Sequence, residues 1–135
     1  MNLKILITTS SFDLRNFCHL DDLIAADIEV VLNPYRRRLN EQEVSDLFSD
    51  DVVGMIAGLE PLTASVLKSA PRLKVIARCG AGLDSVDMNA ARAQGISVFN
   101  TPDAPTTAVA ELTVGHILGL LRHVTESDRN IRAGS

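Results

Sequence analysis

Two stretches of this chain put polar groups where a small anion can be held. The first is Arg78-Cys79-Gly80-Ala81-Gly82-Leu83-Asp84-Ser85-Val86-Asp87, in which an apolar run from Lys74 to Cys79 passes directly into two glycines one residue apart. Glycine has no Cβ, so at Gly80 and Gly82 the backbone is free to take positive φ and to bring its N–H groups close to a carboxylate or phosphate. Arg78 sets a cation beside them, with a substrate anion, Asp84 and Asp87 as its alternative partners. The second stretch, Gly95-Ile96-Ser97-Val98-Phe99-Asn100-Thr101-Pro102, ends a β-branched and aromatic run in a polar loop. The bland reading of both is a pair of tight turns, with Asn100 bonding backbone groups.

The elements that must position these loops follow from the pattern. Lys74 to Cys79 reads as a buried strand, and Asp84, Ser85 or Asp87 caps a short helix from Met88 to Gln94 that stops at Gly95. Ile96 to Phe99 is the next strand. Strands joined by a helical crossover run parallel, so both loops come to the same carboxyl edge of one sheet, where open α/β sheets bind ligands.

Three more strands precede them: Leu3 to Thr8, Ile28 to Leu32 and Val52 to Ala57. Between these lie a helical spacing over Phe12 to Ala26, a helix opened by the capping-box pair Asn40 and Glu43 that runs to about Asp50, and one opened by Thr63 that stops before Pro71. The alternation gives α/β architecture, a five-stranded parallel sheet between helical layers. One helix per crossover suits a flavodoxin-like three-layer αβα domain, and its strand order, 2-1-3-4-5, is implied in part by the family resemblance given below. The loops Thr9 to Ser11, Gly58 to Leu62 and Gly80 to Gly82 are expected to border one cleft at the switch point. A long C-terminal helix begins at Thr106 or Thr107. It is apolar on more than one face, with Gly115 and Gly119 open to close approach, and turns polar after Leu121.

Bulk properties narrow the function classes. A chain of 135 residues with 46% hydrophobic and 22% charged residues is one globular domain with a real core. A formal net charge of -4 argues against a nucleic-acid or anionic-membrane surface, leaving Arg36-Arg37-Arg38 as a solvated basic loop. Cys18 and Cys79 lack metal spacing and read as reduced cysteines of a cytoplasmic protein, and Met1 to Ile5 enters a strand without an export signal. Val109 to Leu121, interrupted by Glu111 and His116, is too short and polar to span a bilayer. His116 and His123, seven apart, lack the four-residue spacing of a helical metal pair.

The order R-C-G-A-G-L-D-S-V-D, then G-I-S-V-F-N-T-P, then A-V-A-E-L-T-V-G-H-I-L-G-L-L-R resembles the D-isomer-specific 2-hydroxyacid dehydrogenases, the family that includes phosphoglycerate dehydrogenases. The resemblance covers the front part of such an enzyme. It implies a substrate-binding domain over residues 1–103 and an interdomain helix over 104–135, the latter expected here to pack as the last helix of the same domain. It further implies that Gly80, Ala81 and Gly82 hold the carboxylate of a 2-hydroxy or 2-oxo acid, with Leu59 and Arg78 nearby, and that Thr107 lies toward the nicotinamide.

The nucleotide fingerprint and the family's catalytic Arg, Glu and His fall outside the resembling part. Gly80-x-Gly82-x-x-Ser85 is not that fingerprint, since it follows the fourth strand and Asp103 sits in a loop. The chain alone is therefore expected to be inactive, with no catalytic or metal-binding residue of its own. NAD binds in the full-length enzyme, and the missing nucleotide-binding domain and a second copy of the chain are its partners. A carboxylate at Glu60, where phosphoglycerate-specific relatives carry a cation, is expected to repel a phosphate. The competing reading is a stand-alone flavodoxin-like binding module without catalysis.

Overall fold

The computed structural model describes residues 3–10 and 12–134. Strands β1 (Leu3–Ile7), β2 (Ile28–Leu32), β3 (Val52–Ala57), β4 (Val75–Arg78) and β5 (Ser97–Asn100) alternate with helices α1 (Leu20–Ala25), α2 (Glu41–Leu47), α3 (Ala64–Lys68) and α4 (Met88–Ala93). The strands form one sheet in the order β2-β1-β3-β4-β5, every pair parallel. Helices on both sides make this the flavodoxin-like α/β fold that the alternation predicts. The strand order reverses beside β1, which places a switch point between β1 and β3.

Leu6, Met55 and Ile76 share one sheet face by register. They pack with Val44 of α2, Val66 and Leu67 of α3 and Ala91 of α4 into the buried core. Each such side chain contributes roughly 1.5–3 kcal/mol by leaving water. On the opposite face the registered residues Ala77 and Phe99 are exposed.

Local chemistry sets the helix starts. The Asn40 side chain accepts from the Glu43 N–H (2.9 Å) while Glu43 accepts from the Asn40 N–H (3.0 Å), completing the capping box. Asp87, among the three candidates, caps α4 by accepting from the Ala90 N–H, and Gly95 beyond its end takes φ +70°. Thr63 stands at the N-cap of α3, but its hydroxyl donates to Glu41 instead of capping.

Three expectations are corrected. The helix over Phe12 to Ala26 is a single 3-10 turn, Leu14–Asn16, followed by the short α1. Asp13 accepts from the Arg15 N–H and closes that turn, and the edge-to-face contact of Phe12 and Phe17 sets its rings outside a helical register. The helix opened by Asn40 stops at Leu47 rather than near Asp50, because Phe48 is already extended. The C-terminal helix is two: α5 (Thr106–Leu121) and α6 (Val124–Arg132), parted at His123, whose left-handed φ of +54° breaks the ladder.

The chain divides into two compact units, the first ending at Thr101 and the second beginning at Pro102. In the second unit α5 buries no side chain, and Val109, Leu112, Leu120 and Leu121 are all exposed. No described helix is long and apolar enough to cross a membrane.

Candidate functional site

Each of the loops at the carboxyl edge is fixed by a different device. Asn33, at the end of β2, donates through Nδ2 to the carbonyls of Thr8 (2.8 Å) and Arg37 (2.9 Å) and accepts from the Tyr35 N–H. This ties the arginine-rich loop to the end of β1. Arg37 pairs with Glu43 and lies over the Tyr35 ring, which leaves Arg38 the next cation along.

The loop after β3 is organised from inside. Glu60 is 2% exposed, and its carboxylate accepts from the Thr8 hydroxyl and from the Gly58 N–H at 2.9 Å. A loop carboxylate projecting toward a substrate, as the sequence leads one to expect, is therefore corrected: the charge is turned inward and spent on anchoring. Leu59, its neighbour, is exposed. Leu62 exchanges backbone bonds with Ser85 (2.7 Å) and Asp87 (2.9 Å), joining this loop to the next.

The loop after β4 is strapped from β5. Asn100 donates through Nδ2 to the Ala81 carbonyl (2.7 Å), while the Gly80 N–H donates to Thr101 Oγ1 (2.8 Å) and the Thr101 N–H to the Gly80 carbonyl (3.1 Å). Asn100 thus plays the backbone-bonding part. The strap consumes the Gly80 N–H but leaves those of Ala81 and Gly82 without an acceptor among the described residues.

Of the two glycines only Gly80 uses the freedom expected of both, at φ +136°. A Cβ there would fall 2.8 Å from Arg78 Cζ and nearer still to Nη1. The guanidinium lies where a side chain would be, with Nη1 donating to the Cys79 carbonyl. It makes no ion pair with Asp84 or Asp87, the partners a structural role would need. Desolvation holds the Cys79 thiol above its ordinary value, with Arg78 pulling it down and Glu60 pushing it up, so both charges reach this loop.

Arg38, Leu59, Arg78, Gly82, Asp84 and Ser85 line a cleft of about 270 Å³. Of the expected substrate residues, Leu59, Arg78 and Gly82 meet there, with Gly80 and Ala81 in the same loop. Thr107 belongs to the second unit, exposed in the first turn of α5. Thr9 and Ser10 line a different cleft with Asp13, Arg15, Asn33 and Arg36, because the loop after β1 leans toward β2, and Ser11 lies outside the described residues. Arg38 is the residue that the sequence reading passed over as part of a solvated run.

Residues 8–133 match the catalytic domain of the D-isomer specific 2-hydroxyacid dehydrogenases. The chain belongs to that family. It is 35% identical over 96 residues to a D-3-phosphoglycerate dehydrogenase of Methanocaldococcus jannaschii, covering 71% of this chain and 18% of that enzyme. The crystal structure of the TT0316 protein from Thermus thermophilus superposes with a TM-score of 0.82 at 32% identity, over 98% of this chain and 41% of that one. A cofactor(NAD+)-bound 3-phosphoglycerate dehydrogenase of Entamoeba histolytica aligns at a TM-score of 0.72 and 27% identity, over 88% and 39%. The chain thus spans less than half the length of each of these proteins.

Proposed function

We propose that these residues form the substrate-binding part of an NAD-dependent D-2-hydroxyacid dehydrogenase. The observation that carries this reading is the pair of unspent N–H groups at Ala81 and Gly82, presented by a loop that the Asn100–Thr101 strap holds from behind. Two N–H donors side by side suit the two oxygens of a carboxylate. Fixing the acid group fixes C2, the carbon that exchanges hydride in a 2-hydroxy or 2-oxo acid. Arg78 supplies positive charge beside the loop, and Leu59 an apolar wall.

The described loops do not fit a dinucleotide. The first N–H of the glycine pair is already taken, and the start of α4 carries the Asp87 carboxylate where a pyrophosphate would need bare N–H groups. We therefore place NAD and the hydride step in the part of the full-length protein that holds the nucleotide, with Thr107 and residues 104–135 leading toward it. The NAD+-bound relative supports NAD as the cofactor. The chain alone should not turn over. The free thiols of Cys18 and Cys79 agree with a reducing cytoplasm.

The test is an amide-shift titration of this chain with D-lactate. The Ala81 and Gly82 resonances should move together, with an affinity near the millimolar range, on the order of -4 kcal/mol. Saturating acid that leaves both amides unmoved would remove the carboxylate assignment.

We further assign a homodimeric contact to α5, supported by Leu120 at 76% and Leu121 at 70% exposure. Light scattering should show dimer in the native chain and monomer in Leu121→Glu. A native chain that stays monomeric at high concentration would remove it.

A further inference from the structure

The carboxyl edge has a second cleft, about 370 Å³ between the loops after β1 and β2, which the carboxylate reading leaves unused. Asn33 builds it. This buried side chain donates to the Thr8 carbonyl in one loop and to the Arg37 carbonyl in the other, and it accepts from the Tyr35 N–H. Its hydrogen bonds are spent on holding the two walls together. Between Tyr35 and Arg37 the clamp leaves Arg36 with a left-handed φ of +53°, a conformation unfavourable for any residue with a Cβ.

What the clamp presents is unspent. Arg36 makes no ion pair or hydrogen bond among the described residues, unlike Arg37, which Glu43 holds. The N–H groups of Thr9 and Ser10 have no acceptor among the described residues, and Thr9 Oγ1 is shut off from water without a partner. An enclosed hydroxyl with its bond unmade is a standing cost, which an acceptor brought to the loop removes. Asp13 is the carboxylate of the lining, and Arg15 grips its two oxygens at 3.0 and 2.9 Å. The charge left over is the positive one of Arg36.

We propose that this cleft binds a phosphate group, held by Arg36, by the Thr9 and Ser10 N–H groups and by the Thr9 hydroxyl, which turns to it about χ1. Two N–H groups, the Thr9 and Ser10 hydroxyls and a guanidinium offer more donors than the two oxygens of one carboxylate take up, and suit the three of a phosphate. Phe12 and Leu32, also in the lining, give an apolar body attached to that phosphate a surface to lie on. The site does not depend on the assignment of a carboxylate to the Gly80–Gly82 loop.

The experiment titrates the isotope-labelled 135-residue chain, at constant ionic strength, with inorganic phosphate and with phenyl phosphate. Both should move the Thr9 and Ser10 amides together and saturably, in the millimolar range. Tighter binding of phenyl phosphate, with the Leu32 methyl signals shifting as well, identifies an ester site; equal affinity with those methyls still identifies a site for free phosphate. Arg36→Gly suits the left-handed backbone, so the fold is kept while the guanidinium goes, and affinity should fall about tenfold. Thr9→Val keeps the shape and removes the hydroxyl: affinity should fall about threefold while the urea midpoint holds or rises, because no bond within the chain is lost. Amides at Thr9 and Ser10 that neither phosphate moves, movement confined to Ala81 and Gly82, or affinities unchanged in both variants would each overturn the site.

Discussion

The loop after β3 and the loop after β4 start from neighbouring strands and dispose of their polar groups in opposite ways. In the first, a carboxylate is buried and two donors from other segments, the Thr8 hydroxyl and the Gly58 N–H, close on it. In the second, two backbone N–H groups and one guanidinium nitrogen are left with no acceptor among the described residues, although the loop is braced by Asn100 and Thr101. A closed account marks scaffold, since buried polar groups are kept only when satisfied. Donors left open on a braced, exposed loop are what the proposed carboxylate site uses.

The largest effect that would break this contrast belongs to the closed loop. Glu60→Ala strands the Gly58 N–H, leaves the Thr8 hydroxyl only the Ile56 carbonyl and empties a buried site, and should cost about 3 kcal/mol, read as a lower urea midpoint with an unchanged slope. A loss under about 1 kcal/mol would mean that Glu60 is not the anchor. Next comes the difference between the glycines. Gly80→Ala forces a side chain into a left-handed position already filled by Arg78 and should cost about 2 kcal/mol. At Gly82 a Cβ meets only Asp84 Oδ2, at 3.3 Å, so Gly82→Ala should stay within about 0.5 kcal/mol. Equal costs at the two positions would erase the asymmetry.

Cutting the strap is a smaller perturbation. Asn100→Ala removes one side-chain bond at an exposed loop and should cost about 1 kcal/mol, while acid affinity at the Ala81 and Gly82 amides falls by more than that stability loss conveys. A variant that loses stability but binds acid as before would make the strap a turn device only.

The smallest effect concerns pH, with the capping-box loop as a control outside both regions. Arg37, and then the Asn40 N–H, hold the Glu43 carboxyl below its ordinary value. The folded chain therefore binds that proton more weakly than the unfolded chain. Its stabilisation is present above the unfolded carboxylate range and lost as pH falls through the lowered folded value. Glu43→Gln should flatten the acid limb of the stability profile slightly and leave the profile above pH about 6 unchanged. An unaltered acid limb would remove Glu43 from the acid response.

Much of this was legible from residue order. The β-branched runs of β2 and β3 and the Asn40–Glu43 box depend on near neighbours, and each stands where the pattern put it. The glycine loop was legible as a turn beside a cation. What escaped depends on contacts between segments or on side chains competing with the backbone. Asp13 diverts a helical spacing into a single turn, and His123 breaks the helix where its composition turns polar, a change that does not by itself announce a break. The inward turn of Glu60 needs Thr8, fifty-two positions away. Arg38 enters the cleft because Asn33 folds its loop back on β1, a relation that no spacing around Arg36-Arg37-Arg38 announces.

The strand order has a consequence for the way the chain is made. β1 is synthesised first and finishes in the interior of the sheet, between β2 and β3. Once Leu32 has left the ribosome, β1 and β2 can pair across one crossover, and β3 returns to the free side of β1. From there the sheet grows on one edge only, β4 onto β3 and β5 onto β4, each new strand meeting the one just finished. Apart from the β1–β3 pairing, contacts stay short in sequence for a parallel sheet, which favours folding in chain order during synthesis. The Asn100–Thr101 strap comes last, so the Gly80–Gly82 loop is fastened only after the rest of the sheet is in place.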